Sequence, residues 1–474
     1  MKLKAIGDWF ESRLQLESLY RSTAGHPIPR SSASWWYVFG SATLVCFVLQ
    51  IVTGICLALV YVPSAAEAWT SLEFLNYQQS LGWYLRAVHF WGSNLMVALM
   101  TVHMIQVFLM GAHKYPRELT WVIGCMLFIA TLGMAFTGQV MRFDQDAYWG
   151  LGIGVAIMGR IPLIGDVVAD LILAGPIIGA ETLSRFFTLH VFVVPGLIIA
   201  LVTLHLRLVL KRGINDFPVR GKGVVPEAYD EEYAALIEKE GIPFFPDGVD
   251  KDIVFSGVVI IAILCCAAIF GPAGPNGEPD PTLIDTVPRP DFYFLSLFAV
   301  LALMPPQIET FVLVYVMPVA VLLLFLVPFI AGRGAKHPAD RPIAVLGVVL
   351  IGLTMFTLAW LGISSPWSPH MDAWSGDPTP VAYVKESSPL ELQGAVLVQA
   401  KQCRNCHALG GVGGQRGPAL DDVATRLTAD QLTRQILQGG GNMPAYGKHL
   451  SPYETTALVA FLRTMHPSGE PGAR

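Results

Sequence analysis

The sequence predicts an all-α protein: a seven-span transmembrane helix bundle followed by a small all-α domain. Three observations carry that expectation. Of 474 residues 53% are hydrophobic and 14% charged, and the mean hydropathy is +0.52; polar connections separate apolar stretches of bilayer length. Four histidines fall in two of those stretches as matched pairs, His89 with His103 and His190 with His205. The last apolar stretch gives way to a segment rich in Pro, Ser and Asp, and then to a soluble-looking stretch containing Cys-Arg-Asn-Cys-His.

The spans are expected near Tyr37–Tyr61, Leu81–Met110, Leu119–Val140, Phe186–Lys211, Ile253–Phe270, Ile308–Ala331 and Pro342–Ile363. Basic residues orient them. Lys2, Lys4, Arg13, Arg21 and Arg30 precede the first span, and Lys114 and Arg117 follow the second. Lys211, Arg212, Arg220 and Lys222 follow the fourth, and Arg333, Lys336 and Arg341 the sixth. The opposite loop, Val62–Ser80, has no Lys or Arg. Cytoplasmic loops carry the Lys/Arg excess, so the N-terminus is expected in the cytoplasm and everything after Ile363 outside. The first 35 residues lack an apolar core of signal-peptide type, and Glu11–Tyr20 reads as a short amphipathic helix on the lipid bilayer surface. A net charge of −5 gives no nucleic-acid footprint. Cys46, Cys56, Cys125, Cys265 and Cys266 sit in apolar runs and read as packing residues.

His103 lies fourteen residues after His89, and His205 fifteen after His190. At about 100° and 1.5 Å per residue, either spacing returns near the same helix face about 21–23 Å further on. Each helix thus offers one imidazole near each membrane surface. Two such helices can clamp two haems, each between a histidine pair; the bland reading is polar residues bonding neighbouring helices, but ionisable groups in lipid are rare and usually functional. Gly40 and Gly54 in span one, and Gly124 and Gly138 in span three, repeat the fourteen-residue period. Small residues commonly pack membrane helices; the shared period favours bare backbone where a flat haem approaches. Arg86, one turn before His89, is placed either to pair with a haem propionate or to snorkel to the surface.

In the C-terminal stretch a helical pattern, Leu390–Ala400, leads into Cys403-Arg404-Asn405-Cys406-His407. Cys-x-x-Cys-His is the attachment signature of a covalent c-type haem, with thioethers from Cys403 and Cys406 and axial ligation by His407. A thioredoxin-like motif would lack that histidine and need a βαβ context. The Gly-rich loop Gly439–Gly441 leads to Met443, whose thioether is the expected second axial ligand; Met465, in a closing helix Pro452–Met465, is the alternative. The stretch resembles a class I cytochrome c.

The segments "HKYPRELTW" (His113–Trp121), "RFDQDAYWG" (Arg142–Gly150) and "TLSRFFTLH" (Thr182–His190) resemble the cytochrome b of the quinol:cytochrome c oxidoreductases, the bc complexes. The fifteen-residue spacing and the seven spans are closest to its chloroplast-type (bf) branch, with the small subunit fused. The likeness covers roughly Ile28–Trp367. It implies that His89 and His190 bind an outer, low-potential haem and His103 and His205 an inner, high-potential one. It also implies that the long loop Met141–Leu183 walls a quinol-oxidation site and receives a Rieske iron–sulfur protein. The family's Pro-Glu-Trp-Tyr motif becomes Pro290-Asp291-Phe292-Tyr293 here. Its glutamate, thought to take a proton from quinol, is replaced by Asp291, a form resembling that of bacteria using menaquinol. Asp291 also stands where a helix N-cap is expected, before Phe292–Met304. The span-one cysteine that fixes an extra haem in the bf branch aligns with Val38, so no third membrane haem is expected; Cys46 matches a different, packing cysteine. Lys211 is the one candidate named for the inner quinone site.

The expected organisation is a four-helix cytochrome b module over residues 1–214, a three-helix module with the quinol motif over 215–365, a linker over 366–388 and a periplasmic cytochrome c domain over 389–474. The expected function is that of the fused cytochrome b–cytochrome c subunit of a bacterial bc complex in the cytoplasmic membrane, with two b-type haems, one c-type haem and quinol as substrate. Its expected partners are a separate Rieske protein, other bc-complex subunits, a cytochrome c or terminal oxidase as acceptor, and a second copy in a homodimer. A dihaem membrane anchor of a dehydrogenase would keep the haems without needing the long loop, the Asp291 segment or spans five to seven. A transporter would use the histidines as proton relays.

Overall fold

The computed structural model describes residues 2–174, 178–280, 288–364, 378–413, 417–439, 443, 445–447 and 449–467. Among them are seven helices long and apolar enough to cross a membrane: Phe39–Ala58, Gly82–Leu109, Glu118–Met141, Glu181–Arg212, Asp250–Phe270, Ile308–Ile330 and Pro342–Ser364. Each coincides with an expected span. The largest shift is at the fourth, whose helix already begins at Ala180. There the Thr182 hydroxyl accepts from the Gly179 N–H at 2.9 Å and donates to the Leu173 carbonyl at 2.6 Å, closing the first turn.

The fourth span is not a uniform α-helix. Leu189–Val193 forms a π-turn, with the Val194 N–H donating to the Leu189 carbonyl. Pro195, just beyond, has no N–H to give. On a regular helix fifteen residues overshoot a full turn by about 60°. A π-turn absorbs one residue, so His205 returns to the phase that fourteen residues give His103 in the regular helix Gly82–Leu109. The same device recurs in span six, where the π-turn Val312–Val316 precedes Pro318.

Buried residues of spans one to five, among them Ala42, Cys46, Ala87, Ile123, Ile198 and Ile263, form the core at the bundle centre. A second core lies at one end under the long loop, where Tyr61, Leu72, Tyr148, Leu151 and Phe186 meet. The loop carries two helices, Gln145–Gly159 and Gly165–Leu173. Arg160 follows the first of them and holds span six, its guanidinium lying 2.8 Å from the Glu309 carboxylate.

At the other end the segment His113–Trp121 joins the four-helix and three-helix parts. Buried Lys114 donates to the Ala331 and Arg333 carbonyls, the latter at 2.7 Å. Arg117 donates to the Gly213 carbonyl at 2.9 Å and to the Tyr229 hydroxyl at 2.7 Å. Buried Lys336 pairs with Asp216. His113 is fully buried against Phe108 and Trp121, and burial with the nearby Lys114 and Arg341 charges lowers its pKa to about 3, keeping it neutral.

Two details depart from expectation. The N-terminal surface helix is two helices, Lys2–Leu14 and Leu16–Ser22, broken at Gln15 with φ 49°. The all-α expectation has an exception after span four, where the helix Tyr229–Glu240 leads into Gly241–Pro243, which pairs with Pro27–Pro29 as a two-stranded ladder.

The C-terminal domain packs Pro389–Ala400 across Pro452–Leu462, with Gly394 set against the Ala457 carbonyl so closely that no side chain would fit. Each helix opens with a capping box, Ser388 with Glu391 and Ser451 with Glu454. The closing helix stops at Leu462, and buried Met465 follows it as part of the core. His449 Nδ1 lies 3.3 Å from Asp280 Oδ1, so the domain meets the loop after span five.

Candidate functional site

Each of the four histidines faces one of the four periodic glycines. A Cβ on Gly54 would sit 3.2 Å from the His89 ring and one on Gly40 3.1 Å from His103. On the facing helices, a Cβ on Gly138 would sit 2.7 Å from His190 and one on Gly124 3.6 Å from His205. The His89 and His190 ring centroids are 6.4 Å apart, with planes at 72°. Metal–imidazole bonds are about 2 Å, so the space between the two rings would suit an iron that both histidines hold.

The hydrogen bonds of this pair define its tautomer. His89 Nδ1 lies 2.8 Å from the Thr53 hydroxyl, whose proton goes to the Leu49 carbonyl at 2.7 Å. His190 Nδ1 lies 3.0 Å from the Thr137 hydroxyl and 3.1 Å from the Met134 carbonyl, and Thr137 donates to that carbonyl at 2.9 Å. Each threonine oxygen is thus left to accept, so Nδ1 carries the ring proton and Nε2 keeps its lone pair for a metal. Nδ1 of His103 and of His205 is buried without a hydrogen bond. Thr53 and Thr137 were not singled out from the sequence, yet each directly precedes a periodic glycine, whereas Phe39 and Ile123 precede the other two.

The glycine geometry gives a graded expectation. Gly138→Ala must displace the His190 ring from its threonine and carbonyl, an overpacking cost of about 1–3 kcal/mol, while Gly124→Ala meets His205 at ordinary contact distance. Purified Gly138→Ala should lose part of its b-type haem absorbance, that of the His190 site, and Gly124→Ala should keep all of it; equal retention by both would refute the gradation.

Arg86 does not snorkel to the surface. Its guanidinium is buried and donates to the Asn76 side chain at 2.9 Å and to the carbonyls of Ala273, at 3.0 Å, and Gly274. It clamps the loop after span five to span two. Arg142, one turn beyond Gly138, pairs with buried Asp144 at 2.8 Å.

Asp291 occupies the N-cap of the turn Phe292–Phe294, but its side chain caps nothing. Instead the Tyr293 hydroxyl donates to Asp291 Oδ2 at 2.8 Å. Burial and the adjacent carboxylate hold the Tyr293 phenol well above the usual tyrosine range, so it stays a donor. Pro290 precedes the pair and is half-buried. The Lys211 side chain is exposed and has no hydrogen bond or ion pair among the described residues. Of the five cysteines in apolar runs, Cys46 and Cys125 are buried packing residues, while Cys56 and Cys265 face outward.

In the C-terminal domain Cys403, Cys406 and His407 lie on one short turn and its exit. His407 Nδ1 donates to the Pro418 carbonyl at 2.7 Å, which leaves Nε2 as the free nitrogen. Gly417 presses bare backbone against that ring, in space a Cβ would fill. Burial pushes the Cys403 thiol up to about 12 and the Cys406 thiol to about 11, with each cysteine free. Met443 packs at the edge of the core, where its sulfur accepts from the Gln435 amide at 3.6 Å; its neighbours Asn442 and Pro444 lie outside the described residues.

A membrane helix bundle with facing imidazole pairs, joined to a domain with a Cys-x-x-Cys-His turn, defines a membrane cytochrome. The chain belongs to the cytochrome b/b6 family: the cytochrome b/b6/petB family matches residues 24–213 and the cytochrome b(C-terminal)/b6/petD family residues 280–377. The cbb3-type cytochrome c oxidase subunit III family matches residues 390–462, so a cytochrome c domain is fused to the cytochrome b. Cytochrome b6 of Auxenochlorella protothecoides is 36% identical over 213 residues, which are 45% of this chain and 99% of that protein. Cytochrome b6 of Synechococcus elongatus is 35% identical over the same shares. A chain of a solved hyperthermophilic respiratory Complex III matches with TM-score 0.61 and 26% identity, over 76% of this chain and 91% of that one. The protein is thus a multi-pass membrane oxidoreductase carrying b-type and c-type haem.

Proposed function

We propose that this chain is the fused cytochrome b–cytochrome c subunit of a bacterial bc-type complex in the cytoplasmic membrane, oxidising quinol, with menaquinol favoured, and releasing protons outside. Bound haem supplies one-electron redox chemistry. His89 and His190 hold the outer b haem, His103 and His205 the inner one, and Cys403, Cys406, His407 and Met443 the c haem. A separate Rieske protein accepts the first electron, a cytochrome c or terminal oxidase takes electrons from the C-terminal domain, and the complex works as a homodimer. The helices Gln145–Gly159 and Gly165–Leu173 wall the quinol site.

The observation that carries this reading is what gathers at one end of the bundle. Arg142, one turn from the glycine that faces His190, lies within electrostatic reach of Tyr293 and so of the Asp291–Tyr293 pair. The C-terminal domain touches Asp280 of the loop that Arg86 clamps at Ala273. A proton acceptor, an imidazole pair and the c domain at one surface are what oxidising quinol there requires.

Quinol must shed two protons as two electrons leave, and Asp291 is placed to accept one, with Tyr293 orienting its carboxylate. A general base contributes about 10²–10⁴-fold. Asp291→Asn should slow quinol:cytochrome c reductase turnover at least about tenfold with all haem signals intact, and Asp291→Glu should keep much of the activity. Turnover with a short-chain quinol, alongside a haem spectrum, tests this. Normal turnover in Asp291→Asn would move the proton path elsewhere.

A further inference from the structure

The two histidine pairs differ in one respect. Both members of the His89–His190 pair give Nδ1–H to buried acceptors, whereas neither member of the His103–His205 pair closes such a bond. The Gln106 side chain approaches the His103 ring and the Thr120 carbonyl the His205 ring without hydrogen-bond geometry. Thr53 and Thr137 are 4% and 7% exposed, so bulk water has little access to replace either hydroxyl.

A hydrogen bond from Nδ1–H draws the ring proton toward its acceptor and makes the imidazole a more electron-rich ligand. A more basic axial ligand stabilises ferric over ferrous iron and lowers the potential. We propose that Thr53 and Thr137 are positioning residues that, by accepting from His89 and His190, hold the outer b haem at a lower potential than the inner one. The downhill direction from outer to inner site is then written partly into two hydroxyls. This rests on the haem ligation proposed above.

The two threonines are not equivalent. Removing the Thr53 hydroxyl leaves His89 Nδ1–H without its acceptor. Removing the Thr137 hydroxyl leaves His190 the Met134 carbonyl at 3.1 Å. Thr53→Val therefore has the larger effect.

The test is a redox titration of the b-haem absorbance bands in membranes holding the full chain. Thr53→Val should shift the more negative midpoint upward and leave the more positive one in place. Thr137→Val should shift the same midpoint by less, and Thr53→Ser, which keeps the hydroxyl, should restore the wild-type value. A lower midpoint unmoved in both valine variants, or a shift confined to the higher midpoint, overturns the proposal. Should Thr53→Val lose its haem, Thr137→Val decides alone, because His190 keeps one acceptor and its orientation. A His89→Leu control that retains both b-haem signals would overturn the ligand assignment itself, which is a different failure.

Discussion

Replacing Cys403 and Cys406 together with alanine should abolish every trace of haem stain on the full-length band under denaturing electrophoresis. Thioether bonds survive unfolding, while haem held by histidine alone is lost when the helices separate. The wild-type chain of 51.6 kDa should therefore stain, and the double variant should not, although b-haem absorbance in the native membrane persists. The thioredoxin-like alternative lacks a place for His407, which directly follows Cys406. The motif also follows the helix Pro389–Ala400 rather than opening a βαβ unit. A stained band in the double variant would place the covalent haem elsewhere.

Much of this was legible in the sequence because membranes impose strict rules. Spans could be read from length and apolarity, and all but the fourth start within about three residues of their expected positions, since a bilayer fixes helix length. The shared period marked the four glycines as bare backbone, though not which histidine each one faces. The π-turn at His190 was not read, although its two signs were present: a fifteen-residue spacing where the partner helix has fourteen, and Pro195 just downstream. Helix arithmetic at 100° per residue tolerates both spacings and so hides the extra residue. Arg86 illustrates a different limit. Its carbonyl acceptors, Ala273 and Gly274, lie nearly two hundred positions away, and no local pattern announces a backbone acceptor. Asp291 shows the opposite case: position suggested a cap, and the side chain two residues along, Tyr293, claims the carboxylate instead.

His103→Leu or His205→Leu should remove the inner b haem entirely while leaving the covalent haem in place. Leucine fills much of the volume of an imidazole but offers no lone pair. In the bundle each ring stands opposite bare backbone, His103 against Gly40 and His205 against Gly124, so the substitution changes ligation more than packing. Neither ring's Nδ1 takes part in a hydrogen bond, so no second partner is orphaned. The outer pair, with its own threonines, should keep its absorbance band. On the proposed function, the second electron of each quinol would then have no exit, and turnover should stop after the first few equivalents, a loss of well over tenfold in steady rate. Spectra of the purified complex should show one b-type signal and one c-type signal where the proposed function gives the wild type two and one. Wild-type steady turnover in either variant would sink the two-branch assignment, and loss of both b signals from a folded chain would show that the two pairs do not bind independently.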